Sequence, residues 1–151
     1  MKVETMSPDS GSLIGTLADF RFELRQFLHF SESAALEAGL HPQQHQLLLQ
    51  VAGASLRTKV TIAYAAERLG LKHNSAVELV DRSEREGLLA RKQDADDRRR
   101  ALLQLTRKGR RVLNTLAADH ARELSEQAPR LARALRQIAA HARRGESAEA
   151  R

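Results

Sequence analysis

Between Lys72 and Arg100 the chain gathers side chains that donate hydrogen bonds and positive charge to oxygen acceptors. Projected as a helix at about 100° per residue, Asn74, Ser75, Glu78, Arg82 and Arg85 share one side, while Ala76, Val77, Val80 and Ser83 share the other. On the polar side an arginine can pair with guanine, and an asparagine with adenine, through two hydrogen bonds each. Lys72 and His73 stand at the positive end of this helix, a position that suits a phosphate. Further along, Asp97, Arg98, Arg99 and Arg100 close a run of charged residues, Arg91 to Arg100, too polar to be buried. Any one of these arginines is equally well explained as solvated surface. Their ordered combination points to a polyanionic partner.

These groups need elements that hold them still. The polar helix reaches Gly87, where glycine takes a left-handed backbone at little cost and stops it. Two short apolar runs follow, Leu88-Leu89-Ala90 and Ala101 to Leu105, separated by the Asp-rich charged stretch. They predict a two-stranded ribbon with a basic tip. Upstream, Thr61 caps a helix over Ile62 to Leu69, and Gly70-Leu71-Lys72 turns the chain into the polar helix. Two helices joined by a glycine-containing turn, the second with an outward side of small donors and arginines, match a helix-turn-helix. Pro42 opens an earlier helix that Gly53 closes.

Outside this centre lie two long amphipathic segments. Leu13, Leu17, Phe20, Leu24, Phe27 and Leu28 recur at helical spacing up to about Ala38, and Gly39 ends the run. After Thr106 a second stripe runs through Val112, Leu113, Leu116, Ala117, His120 and Leu124. Pro129 is expected to break it before a last helix containing Leu131, Leu135 and Ile138. Apolar sides this long exceed what a small core covers, and pairing across a two-fold axis would cover them. Residues 1–12 read as a flexible arm and 145–151 as a disordered tail.

Charge is distributed along the same lines. Residues 57–111 carry 15 basic and 8 acidic side chains, whereas residues 1–56 carry 3 and 6. With 151 residues, one packed domain is expected. No cysteine is present, which excludes disulfides and thiolate metal sites. The N-terminus lacks a signal-peptide core and no run approaches a membrane span, so a cytoplasmic protein without membrane association is expected. No glycine-rich strand-turn-helix or Ser/His/Asp ordering suggests an enzyme, and no cofactor is expected. His41 and His45 have a spacing that can hold a metal ion, but no third ligand lies nearby in sequence, and a cap and a half-buried side chain are the preferred reading.

Four segments together resemble the MarR family of winged-helix transcriptional regulators. Leu40-His41-Pro42-Gln43-Gln44 resembles the family's Leu-Thr-Pro-x-Gln, and TIAYAAERLGL from Thr61 resembles its third helix and turn. LVDRSEREGLLAR from Leu79 and DRRRALLQLTRKG from Asp97 resemble its recognition-helix signature and its wing. The fold implied is mainly α with a minor β part: a winged helix-turn-helix over about 41–106, with dimerisation helices at 13–38 and 107–144. The resemblance implies a homodimer on palindromic double-stranded DNA, with Arg99 entering the minor groove and Asp97 bracing it. It also implies a small aromatic or anionic effector, for which Arg25, His29, His41 and His45 are the polar candidates. Ser83 and Ala65 stand where the family usually has leucine, and His41 replaces its usual hydroxyl cap, which predicts a smaller core and a less well tied helix start. A winged helix serving only as a protein-interaction module is the alternative.

Overall fold

The computed structural model describes residues 12–149, with side chains through residue 145. In chain order the elements are α1 (Leu13–Glu37), α2 (Pro42–Gly53), α3 (Ile62–Leu69), α4 (His73–Arg85), β1 (Leu89–Gln93), β2 (Ala101–Leu105) and α5 (Arg107–Glu149). Two compact units divide them: Ser31–His120 form one, and the residues up to Phe30 together with those from Ala121 form the other. Residues 1–11, where the flexible arm is expected, lie outside the described residues. Ser12, at the edge of that arm, caps α1 by accepting from Gly15 N at 3.1 Å.

The core of the Ser31–His120 unit is built from Leu40, Leu47, Leu48, Val51, Ala65, Val80, Leu88, Leu89, Leu103, Leu113 and Leu116. Burying each leucine contributes about 1.5–3 kcal/mol, and these side chains come from every element of the unit. Ser83 and Ala65, where larger residues are usual, are both fully buried. Ser83 avoids an orphan hydroxyl by donating to the Leu79 carbonyl at 2.8 Å.

β1 and β2 form an antiparallel ladder with Leu89 opposite Leu105 and Arg91 opposite Leu103. The first strand runs three residues further into charged sequence than its apolar run suggests, because acidic residues of α4 neutralise Arg91. A single further bond, Leu103 N to Val60 O at 2.7 Å, ties the segment before α3 to the ribbon. Thr106 then joins ribbon to helix: its hydroxyl donates to Gly87 O at 2.6 Å and accepts from Gly109 N at 3.1 Å.

Two expectations are corrected. His41 ties the start of α2 well: its Nδ1 accepts from Gln43 N at 3.2 Å, while Gln44 Oε1 accepts from His41 N at 2.9 Å. Pro129 does not break α5, which is one helix from Arg107 to Glu149. The proline removes one backbone bond, but Gln127 and Ala134 on either side of it are both buried, so packing and the strong helix formers around it outweigh the loss. The same helix continues through residues 145–149, where a disordered tail is expected, since adding residues to an existing helix avoids the cost of nucleation. Residues 150 and 151 lie outside the described residues.

In the other unit Glu23 accepts from Arg130 Nε at 2.7 Å and Thr16 donates to Gln137 at 3.3 Å. These contacts join the first half of α1 to the last part of α5 beside a cleft of about 360 Å³.

Candidate nucleic-acid interface

α4 presents the side that its periodicity predicts. Asn74, Ser75, Glu78, Arg82 and Arg85 are exposed, while Ala76, Leu79, Val80 and Ser83 are buried. Gly70, in the left-handed region at φ 65°, sets the turn from α3 into α4. Lys72 is the N-cap of α4 and offers no side-chain cap. The first backbone N–H groups of α4 therefore open to solvent beside Lys72 and His73, both exposed, and carry the partial positive charge that favours an anion.

The ribbon belongs to the same unit and is fastened to α4 by charge. Arg91 donates through Nη2 to Asp81 at 2.5 Å and through Nη1 to Glu84 at 2.9 Å. Its backbone N–H also reaches Glu84, at 3.2 Å. Hydrogen bonding to Asp81 first, with the charge of Glu84, raises the Arg91 pKa above its ordinary value. Arg91 is consequently a structural clamp and not a spare cation for phosphates. A second fastening lies at the ribbon's far end, where Lys59 Nζ contacts Asp94 at 2.8 Å and Asp96 at 2.9 Å. The Lys59 ammonium, followed by the Asp96 backbone N–H, holds the Asp94 carboxyl below the usual carboxylate range.

Between these fastenings the tip turns at Asp97. Its Oδ1 accepts from the Arg99 backbone N–H at 3.0 Å, and Arg100 N donates to the Asp97 carbonyl at 3.0 Å. The side-chain ion pair of Asp97 goes to Arg100, at 3.7 Å, so Asp97 orders the backbone of Arg99 and not its guanidinium. Arg98, Arg99 and Arg100 are all exposed.

The candidate effector residues do not form one group. Arg25 and His29 are exposed members of the unit containing the first half of α1, whereas His41 and His45 belong to Ser31–His120. His45 is 2% exposed, more buried than expected, with its ring 4.8 Å from that of His120. His120 contacts the Ser31 hydroxyl at 2.8 Å and the Leu116 carbonyl at 2.6 Å. His45 Nδ1 has no hydrogen-bond partner, and burial followed by the neighbouring His120 lowers its pKa to about 4.

Sequence reasoning missed a polar cluster under the C-terminus of α4. Gln44, fully buried, donates to Glu86 at 2.8 Å; Arg82 Nε donates to the other oxygen of Glu86 at 3.1 Å; and Lys108 donates to the Glu86 carbonyl at 2.8 Å. The amide of Gln44 and then Arg82 hold the Glu86 carboxyl below its ordinary range. Lys108, one of the bases crowding the first turn of α5, thus caps another helix. A buried-side glutamine at position 44 was the one available signal.

The MarR family profile matches residues 38–100, a span that contains α2, α3, α4 and most of the ribbon. No curated protein matches. Among solved structures, AbsC, a MarR-family transcriptional regulator from Streptomyces coelicolor, is 19% identical, with 93% of this chain and 98% of that one covered and a TM-score of 0.62. MepR of S. aureus in complex with DNA is 19% identical, with 85% and 94% covered and a TM-score of 0.65. CouR from Rhodococcus jostii RHA1, bound to p-coumaroyl-CoA, is 25% identical, with 82% and 81% covered and a TM-score of 0.60.

Proposed function

For a chain that belongs to the MarR family through residues 38–100, we propose the role of a sequence-specific double-stranded-DNA-binding transcriptional regulator, a ligand-responsive repressor acting as a homodimer on a palindromic operator. One observation carries the reading: the exposed polar side of α4 and the arginine tip of the ribbon belong to one compact unit and are clamped together by Arg91. α4 has the dimensions to enter the major groove, where Asn74, Ser75 and Glu78 meet base edges and Lys72 and His73 meet phosphate. Arg98, Arg99 and Arg100 reach the neighbouring minor groove and its phosphates, with Arg99 leading and Asp97 holding the turn.

MepR in complex with DNA and CouR with p-coumaroyl-CoA support DNA as partner and a small effector as signal. The winged helix-turn-helix over about 41–106 is the DNA-reading part, and the helical parts at 13–38 and 107–144 serve dimerisation. Exposed Leu13, Ile14, Leu17, Phe22 and Leu135 support a second copy as the cover for those helices. A two-fold axis would set the recognition helices about 34 Å apart, one turn of DNA.

Selection of bound sequences from a random duplex pool, followed by fluorescence anisotropy on the winner, tests the reading. A palindrome should emerge. With six to ten phosphates contacted per dimer, affinity should fall by about 10³–10⁵ between 50 and 200 mM salt. Salt-independent binding, or no enriched sequence, would overturn it. Alanine at Arg98, Arg99 and Arg100 should abolish binding; unchanged binding by that variant would favour a protein-interaction module.

A further inference from the structure

The cluster beneath the end of α4 has a directional order that packing alone does not require. Gln44 uses both ends of its amide: Oε1 accepts from His41 N at 2.9 Å and Nε2 donates to Glu86 at 2.8 Å. It is fully buried, so its orientation is set by α2. Glu86 spends one oxygen on Gln44 and the other on Arg82 Nε, at 3.1 Å. That leaves the Nη1 and Nη2 edge of Arg82 without a partner among the described residues, on a side chain 52% exposed. A long, flexible side chain is thereby held by its inner nitrogen with its outer edge pointing away from the protein.

Where that edge goes follows from helix length. Arg82 is nine residues after His73, about 13 Å along α4, and the major groove is about 12 Å wide. If the N-terminal turn of α4 sits in the groove, Arg82 lies at the groove's wall, where phosphates are. We infer that Gln44 and Glu86 are positioning residues that hold Arg82 ready to donate its outer guanidinium edge to a DNA phosphate. The inference rests on the DNA-binding reading given above. Pre-ordering removes rotamer entropy that would otherwise be lost on binding, which is how a carboxylate can favour a phosphate contact despite its charge. It also makes α2, which carries Gln44, part of the DNA-reading apparatus without touching DNA.

The test is a double-mutant cycle on the selected duplex, read as affinity at several salt concentrations. Arg82→Gln should weaken binding by about tenfold near 0.1 M salt, about equally on all sequences, and reduce the salt slope by about 0.9. Gln44→Met leaves net charge unchanged but removes the brace. In that background Arg82→Gln should cost less than about threefold, a coupling that a purely structural role for Gln44 would not produce. Glu86→Gln supplies the same cycle at a partly exposed site should Gln44→Met fail to fold. Additive losses in the cycle, or an Arg82→Gln effect confined to one base pair, would overturn the inference while leaving the DNA-binding reading standing. Failure of the unsubstituted protein to bind DNA would overturn the reading itself.

Discussion

A buried imidazole with an unpartnered nitrogen makes His45 a proton-sensitive point in the core. Protonation there would place a charge in an apolar site, 4.8 Å from the ring of His120 and with no acceptor for Nδ1. In the unfolded chain the ring returns to its ordinary value of 6.5, against about 4 when folded. Between those values the unfolded state binds more protons, so stability is full above pH 6.5, falls as pH drops, and levels off below about 4. The loss should approach about 3 kcal/mol. Denaturant titrations of the unsubstituted protein and of His45→Leu, run from pH 7 to 4, should diverge by that amount; parallel curves would show that the ring is already accommodated as a cation. A second residue-scale expectation concerns the ribbon tip. Arg99→Ala should reduce the salt slope of DNA binding by about one and leave thermal stability unchanged, since the side chain is exposed and its backbone alone holds the turn. A loss of melting temperature would instead place the guanidinium in the fold.

Elements are held in register by close approaches that tolerate little change. Gly109, in the first turn of α5, faces the backbone of Leu88, and a Cβ there would collide with the Leu88 carbonyl oxygen. That oxygen also accepts from Thr106 N, so neither partner can yield without opening the joint between ribbon and helix. Gly109→Ala should destabilise the chain by about 1–3 kcal/mol, measured by thermal or chemical denaturation; a neutral result would mean that the joint is looser than its geometry. Periodicity and punctuation made most elements legible in advance. Gly39, Gly70 and Gly87 all adopt positive φ where the chain turns, and α3 begins and ends at the residues that Thr61 and Gly70 indicate. The exposed side of α4 was readable for the same reason, because one helix's faces depend only on local spacing. Pairings between distant segments were not: Gln44 meets Glu86 across 42 positions, Lys59 meets Asp94 across 35, and His120 meets Ser31 across 89. Nothing local distinguishes Arg91, which is a clamp, from Arg99, which is free at the tip. Pro129 misled because its local cost is fixed while the packing that outweighs it comes from other parts of the chain.

At the scale of the whole molecule, the unit made from the first half of α1 and the last part of α5 is poorly covered by its own residues. Ile14 is 67% exposed and Phe22 59%, and Leu13, Leu17 and Leu135 are exposed beside them. Apolar side chains at this density are ordinary singly but costly together, and a second copy of the chain would remove them from water. Dimerisation also bears on affinity, because two recognition surfaces joined rigidly bind two half-sites with an effective concentration that neither has alone. Ile14→Glu combined with Phe22→Glu places two like charges where the copies would meet, without touching α4 or the ribbon. Sedimentation should then report a species of single-chain mass with unchanged helical circular dichroism. Its affinity for the full palindrome should fall by about 10²-fold or more, while binding to an isolated half-site stays as it was. If the double variant remains paired, the interface lies elsewhere on the chain. If instead it becomes single yet binds the palindrome undiminished, the two half-sites are not read together, and the argument from symmetry fails with them.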